Sequence, residues 1–412
     1  MAREMKDSGI EWIGKIPYDW TVIRIKYLHN NEIDSFQDGD WIESPYITNE
    51  GIRYLTTGNV GDGAFKHQGN GYITEDTFYE LNCKYAYPGD LVISRLNAPY
   101  GRACILPEDE DKYVLAVDIV ILRTDHEKRF ICYLMQCPGY QNVVQDGAKG
   151  TTMKRISRTN LGNIALPIAP LDEQTRIADF LDRECSRIDS VIEQTRASIE
   201  EYKKLKQAII TQAVTKGIRS GRTMKDSGSA SYGSIPDSWD CCKLKYLISS
   251  LNSGASVTAT ELIEDGYPVF GGGQQIGYFS QFNMENSLVI GRVGARCGCV
   301  TKVEGKAWAT DNALIVSTDF PIDYLYYILV AAKLNNLNTS NAQPLITSGK
   351  VLNLKVPVCR DKEEQKEITT CLDKRMMKID GLIEKKEQLL SELESYKKSL
   401  IYEYVTGKKE VQ

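Results

Sequence analysis

A repeat constrains this chain more than any other feature. The pentapeptide MKDSG stands at residues 5–9 and again at 224–228, and the echo continues past it. MKDSGIEWIGKIPYDWTVIRIKYL (5–28) and MKDSGSASYGSIPDSWDCCKLKYL (224–247) align without a gap at an offset of 219, sharing 12 of 24 residues. The shared set includes Gly14/Gly233, Ile16/Ile235, Pro17/Pro236, Trp20/Trp239, Lys26/Lys245 and Leu28/Leu247, a turn-and-aromatic pattern that composition alone does not produce. A long internal period of this kind decides the architecture before any local reading. The chain is expected to be two copies of one unit.

A second echo closes each copy. LDEQTRIADFLDRECSRIDSVIEQTRASIEEYKKLKQAIITQAVTKG (171–217) is matched by KEEQKEITTCLDKRMMKIDGLIEKKEQLLSELESYKKSLIYEYVTG (362–407), pairing Glu173-Gln174 with Glu364-Gln365 and Leu181-Asp182 with Leu372-Asp373. The offset is now 191, so the second copy is 28 residues shorter, and the loss must fall in its middle. Steps of four and three from Leu181 meet Cys185, Ile188, Ile192, Thr195, Ile199, Tyr202, Lys206, Ile209 and Ala213. From Leu372 they meet Met376, Ile379, Ile383, Lys386, Leu390, Leu393, Lys397, Leu400 and Tyr404. Each walk is apolar at eight positions of ten, a sustained seam of the coiled-coil type. Neither stretch contains proline, and Gly217 and Gly407 supply stop signals. Some 37 residues at about 1.5 Å each give a helix of roughly 55 Å, longer than one globular unit needs. Each helix could pack only on its own half. The matching seams instead favour an antiparallel pair related by a pseudo-two-fold axis, holding two globular halves at a fixed separation.

Between these ends the sequence reads as mixed α and β. Short apolar runs GDLVISR (89–95), AVDIVILRT (116–124), NSLVIGR (286–292) and NALIVST (312–318) are expected strands, with Gly and Pro turns between them. NIALPIAP (163–170) and NLKVPVC (353–359) lead into the long helices, and helical fragments are expected around 130–136 and 324–333. With 412 residues, 42% apolar and 25% charged, the chain falls among ordinary globular proteins. No run approaches 18 apolar residues and MAREMKDSGIEW carries no apolar leader core, so a cytoplasmic protein without membrane span is expected.

Catalytic motifs are hard to find. Eleven scattered cysteines, with Cys241-Cys242 and Cys297-x-Cys299 lacking C-x2-C partners, point to reduced thiols rather than a zinc site. NAPY at 97–100 resembles the base-holding motif of amino-methyltransferases. The repeat weakens it: SRLNAPYG (94–101) aligns with GRVGARCG (291–298), keeping Arg95/Arg292, Ala98/Ala295 and Gly101/Gly298 but losing the Asn, Pro and Tyr. VFGGGQQIGYF (269–279) is neither closed by Gly-Lys-Ser/Thr nor followed by a helical period, which removes the P-loop and dinucleotide-fold readings. His29, His67 and His126 all lie in the first half without metal-ligand spacing, and PEDEDK (107–112) has no repeat counterpart.

Net charge of −5 argues against bulk coating of nucleic acid and leaves local patches to be read. DGAKGTTMKRISRTN (146–160) is basic and flexible, with Lys149, Thr151, Thr152, Lys154, Arg155 and Arg158; SNAQPLITSGKVLN (340–353) offers Gln343, Ser348 and Lys350. Together with Arg95, Asn97, Tyr100 and Arg102 in the first copy and Arg292 and Arg296 in the second, these are the candidate DNA contacts. Lys and Thr suit phosphates, Arg suits guanine edges, and Asn or Gln suits adenine.

The order and duplication of these segments resemble the DNA specificity subunit of type I restriction-modification systems over nearly the whole chain. The resemblance rests on the doubled G.IP..W, on YLTTGNVGDG (54–63), on YPVFGGGQQIGYF (267–279), on WATDNA (308–313), and on LPIAPLDEQTRIADFLD (166–182) with its partial copy VPVCRDKEEQKEITTCLD (356–373). The copy departs from the pattern at Cys359-Arg360, where proline is common. The resemblance implies an α+β protein with two mixed target-recognition domains, 1–170 and 219–359. Two long antiparallel coiled-coil helices, 171–218 and 360–412, would join them, paired through the seam residues above. It implies a non-catalytic subunit that reads a bipartite target on double-stranded DNA. Two modification subunits holding S-adenosylmethionine, and restriction subunits using ATP and Mg2+, would be its partners, with no cofactor in this chain. Three other classes fit parts of the pattern: a coiled-coil scaffold without base readout, a single-chain methyltransferase, and a specificity component of a fused methylase-nuclease.

Overall fold

The computed structural model describes residues 3–30, 34–69, 71–96, 98–150, 154–229, 231–338 and 344–411. Two helices dominate it, Leu171–Lys216 of 46 residues and Lys362–Val405 of 44, each about 65–70 Å long. They are longer than the seam predicts, because both begin about ten residues before its first leucine. The chain forms two compact units, and the division falls inside the helices: 3–195 with 389–411 forms unit 1, and 196–388 forms unit 2. The sequence boundaries at 170 and 359 mark where the helices start rather than where the compact units part.

In unit 1 the start of the first helix and the end of the second pack side by side on one core. Leu181, Ile188 and Ile192 lie there with Leu400, Ile401 and Val405 around Trp20 and Phe130. Phe180 meets Tyr404 with ring centroids 4.4 Å apart, and one turn pair further along Lys397 grips Asp189 at 2.6 Å, so the two segments run antiparallel. Unit 2 repeats the construction. Ile210 and Val214 share a core with Leu372, Met376 and Ile379 around Trp239, and Lys206 bridges Asp380 at 2.6 Å. Ile199 is buried, and Tyr202, Ile209, Ile383, Leu390 and Leu393 are half-buried, so every seam residue named from the sequence faces inward.

The repeated sequence builds the joint between each helix and its globular segment. MKDSG is a hairpin turn. Asp7 accepts the Gly9 amide at 2.9 Å and Asp226 accepts the Gly228 amide at 3.0 Å, with both glycines at φ near +68° where a side chain is disfavoured. Strands Met5–Asp7 and Lys15–Pro17 pair in the same register as Met224–Asp226 and Ser234–Pro236. Glu173, in the first turn of its helix, accepts from Arg3 at 2.5 and 2.8 Å and from the buried indole N–H of Trp20 at 3.0 Å. Its counterpart Glu364 pairs with Arg222. Gln174 donates to the Ala169 carbonyl and Gln365 to the Cys359 carbonyl, both at 2.7 Å. The Cys359-Arg360 departure therefore leaves the chain path unchanged. Asp182 and Asp373 accept the hydroxyls of Tyr133 and Tyr327 at 2.7 and 2.6 Å.

The globular sheets correspond strand for strand where sequence similarity has faded. Unit 2 carries six strands in the order Ser250–Ser253, Ala313–Ser317, Met284–Gly291, Val300–Ala309, Tyr267–Gly271, Gln274–Phe279. Unit 1 splits the arrangement into two four-stranded sheets, because Ala103–Ile105 and Tyr113–Leu115 stand where unit 2 has one ten-residue strand. The acidic PEDEDK turn is what interrupts it. Ile52–Leu55 still runs parallel to Tyr113–Leu115, as Tyr267–Gly271 does to the end of Val300–Ala309. Most of the length difference precedes Arg95: 66 residues separate Leu28 from Arg95, against 44 between Leu247 and Arg292. The surplus includes helix Glu75–Glu80 and strand Tyr85–Ala86. Among the described residues no helix is long and apolar enough to cross a membrane.

Candidate nucleic-acid interface

The strand-end arginine organises one edge of each unit through its backbone. Arg95 donates its amide to the Asp118 carbonyl at 2.8 Å and accepts the Ile156 amide at 3.1 Å. Arg292 donates to Asn312 and accepts from Ile346, both at 2.9 Å. Leu96 bridges Arg155 in the first unit, as Val293 bridges Leu345 in the second. The basic loops are thereby drawn beside the strand ends, as the repeat alignment implies.

The arginine side chains part company. Arg95 is 6% exposed, within ion-pair distance of Asp38 (3.0 Å) and Asp118 (3.4 Å), and it donates to the Val117 and Ile156 carbonyls at 2.7 and 3.3 Å. The Asp38 contact is close but not aligned as a hydrogen bond. An arginine set between two carboxylates and donating to two carbonyls braces its loops, and little of it is open to solvent. Arg102 is buried in the same way: it is 7% exposed, and it donates to the Thr57, Val60 and Pro99 carbonyls at 2.6, 2.5 and 3.1 Å. In unit 2 the register places Ser253 where unit 1 has Asp38, and Asn312 where it has Asp118. With both carboxylates gone, Arg292 is half-buried, donates only to the Asp311 carbonyl at 3.3 Å, and has no ion pair among the described residues.

The remaining candidates sort by exposure. Lys149, Lys154 and Arg155 are exposed on the unit 1 edge, where Lys149 and Arg155 exchange backbone hydrogen bonds of 2.9 and 3.0 Å. Arg155 lies 3.5 Å from Asp118, and Arg158 lies 3.7 Å from Asp38. Tyr100 packs half-buried against the unit 1 core. Arg296 and Lys350 are exposed in unit 2, Lys350 reaching the Leu337 carbonyl at 3.5 Å, and Ser348 begins a short helix half-buried. Asn97, Thr151, Thr152 and Gln343 lie outside the described residues.

Further side chains reach the same edges from segments to which sequence reasoning gave no binding role. The loop after Ile52–Leu55 is held by Arg102, and the Gly63 amide donates to the Ala103 carbonyl at 2.9 Å, bringing exposed Lys66 and His67 to the unit 1 edge. In unit 2 the Gly272-Gly273 turn is pinned by the Thr301 hydroxyl at 2.8 Å and lies close to Gly291 and Val293; exposed Gln274 and Gln275 follow it, and Asn312 is exposed next to Ala313, which pairs with Gly291. Their signal lay in YLTTGNVGDG and VFGGGQQIGYF, which follow equivalent strands. The strand equivalence rests on parallel pairing, which is invisible in one sequence. Among the described residues no cluster of three or more His, Cys, Asp or Glu is placed to hold a metal.

The chain matches the type I restriction modification DNA specificity domain twice, over residues 17–201 and 236–395. It belongs to that family. Both matches run from the IP..W turn into a long helix, so the duplicated unit of this specificity protein is the family's domain together with its helix. The protein assigned as the type I restriction enzyme MjaX specificity subunit of Methanocaldococcus jannaschii is 26% identical over 426 residues, covering 96% of this chain and 95% of that one. The type I restriction enzyme EcoprrI specificity subunit of Escherichia coli is 35% identical over a shorter stretch of 135 residues, 31% of this chain and 33% of its own. A solved chain from a type I R-M system superposes with a TM-score of 0.67 at 15% identity, covering 96% of this chain and 99% of its own, and so shares the fold.

Proposed function

We propose that this chain is the sequence-reading subunit of a type I restriction-modification complex, each unit contacting one part of a split DNA target. The observation that carries the reading is the duplicated edge: one backbone scaffold, built twice, presents unlike side chains. Unit 1 offers Lys149, Lys154, Arg155 and Lys66 over a buried, neutralised arginine. Unit 2 offers Arg292, Arg296, Gln274, Gln275 and Asn312. Cationic groups suit phosphates, and arginine or amide side chains suit guanine and adenine edges in the major groove. Correct base contacts at about 1–3 kcal/mol each discriminate weakly within one half-site; joining two half-sites makes the penalties add.

The long helices act in this reading as the spacer between half-sites and as the docking surface for two modification subunits. Methylation of adenine from S-adenosylmethionine, and cleavage driven by ATP with Mg2+, then belong to the modification and restriction partners in the cytoplasm, and this chain is non-catalytic. Base-resolved mapping of N6-methyladenine in cells with and without this chain tests the proposal. A two-part motif that disappears on deletion is expected; an unchanged methylation map overturns it.

A further inference from the structure

One groove differs between the two units in a way the repeat makes readable. In unit 1 the N-terminal hairpin lays Trp12 against the second long helix. Its ring lies 6.4 Å from that of Tyr402, the Tyr402 hydroxyl donates to the Trp12 carbonyl at 3.2 Å, and the indole sits on Gly139, where a Cβ would come within 2.4 Å of the ring. The same three positions in unit 2 are Ser231, Thr211 and Lys333. Ser231 follows Met224 as Trp12 follows Met5, Thr211 precedes Tyr402 by the offset separating Glu173 from Glu364, and Lys333 follows Tyr327 as Gly139 follows Tyr133. An aromatic pair closed over a glycine has become two small hydroxyl side chains and a lysine.

What the exchange opens is a cavity of about 590 Å³ in unit 2, lined by Lys204, Thr211, Lys216, Ser231, Tyr232 and Lys333 among others, with no carboxylate in its wall among the described residues. That volume lies within the range of about 300–1,000 Å³ typical of small-ligand sites. The three lysines are exposed, and none has an ion pair among the described residues. Shape and charge therefore point the same way. Ser231, standing where unit 1 has its indole, lines the cavity beside Tyr232, and three lysines contribute to the wall.

We propose that this cavity binds a nucleotide-class ligand, its planar ring taking the place that Trp12 fills in unit 1 and its phosphates meeting Lys204, Lys216 and Lys333. The proposal is independent of DNA reading, and its test involves no DNA. Titration calorimetry of the full chain with ADP, and separately with adenosine and with pyrophosphate, is run without divalent metal at about 0.15 M salt to suppress diffuse charge effects. ADP is expected to bind at least about tenfold more tightly than either half-molecule. Ser231→Trp, which gives unit 2 the residue unit 1 carries, is expected to remove ADP binding while leaving the thermal midpoint in place. Pyrophosphate binding as tightly as ADP, absence of ADP binding, or full ADP affinity in Ser231→Trp overturns the proposal. Should that variant fail to fold, the doubly substituted Lys204→Ala/Lys333→Ala chain carries the test on exposed side chains, and undiminished ADP affinity there refutes it equally.

Discussion

Replacing Glu173 by alanine should cost more than the same change at Glu364, although the two residues occupy equivalent positions. Glu173 holds Arg3 through two charge-assisted hydrogen bonds of 2.5 and 2.8 Å and accepts the Trp20 indole N–H at 3.0 Å. Losing the charged contact removes roughly 1.5–3 kcal/mol, and stranding an indole N–H in a fully buried ring adds about 1–3 kcal/mol. Arg3 keeps Asp19 at 3.0 Å, which limits the damage, so a total near 3–5 kcal/mol is expected, as for other broken buried pairs. Glu364 holds Arg222, but the Trp239 indole N–H has no hydrogen-bond partner among the described residues even in the intact unit, so nothing further is stranded. The difference between the variants is then the indole contribution, about 1–3 kcal/mol less whatever the Arg3–Asp19 pair recovers. Two units need not unfold together, so the measurement is amide hydrogen exchange followed separately in 5–28 and 224–247. Equal losses of protection in the two variants, or a larger loss for Glu364→Ala, would refute the reasoning.

Other consequences are more quickly stated. Arg95→Ala should destabilise unit 1 by about 1–3 kcal/mol, because Asp38 and Asp118 lose their buried partner and keep only the longer contacts to Arg158 and Arg155, whereas Arg292→Ala should leave the melting temperature nearly unchanged and alter the methylated motif at one half-site; the two midpoints and the methylation maps distinguish them. Lys154→Ala with Arg155→Ala should weaken DNA binding on all sequences and reduce the slope of log affinity against log salt by about two, read by titration at several ionic strengths. His126 contacts Gln174 at 3.1 Å, and burial pushes its pKa below the usual 6.5. The unfolded chain therefore takes up this proton first, so the associated stability is complete above pH 6.5 and falls as pH drops from there toward the folded value. His126→Gln should flatten that part of the stability profile, and an unchanged profile would remove the assignment. Deleting one heptad from each long helix shortens it by about 10 Å, the rise of some three base pairs, and should change the permitted gap between half-sites by a similar number; methylation at the original spacing would sink the ruler reading.

The ends of the repeat were legible because their constraints are local and doubled. The hairpin at Gly9 and Gly228, the buried Trp20 and Trp239, and the seam from Leu181 to Ala213 all leave periodic or turn-specific marks that two copies confirm. Arg3 and Arg222 stood within reach of the same argument, since the offset of 219 extends to them, but the unaligned residue between each arginine and MKDSG hid the match. The edges were less legible, for a definite reason. Whether a strand-end arginine faces solvent depends on Asp38 and Asp118, brought to it from 57 residues before and 23 after by strand pairing. Identical residues at aligned positions thus acquired different surroundings, and no local pattern distinguishes Arg95 from Arg292.

Unit 1 cannot close until the end of the second long helix has been made. Its core includes Leu400, Ile401 and Val405, supplied by the last stretch of the chain, while unit 2 is complete once residue 388 has been made. At about 5–20 residues per second, the intervening 193 residues hold the first-made unit open for roughly 10–40 s. The part of the protein synthesised first is therefore the last to close. A message cut short just after residue 388 would release a finished second unit carrying an unsealed first one, exposed to proteases and chaperones.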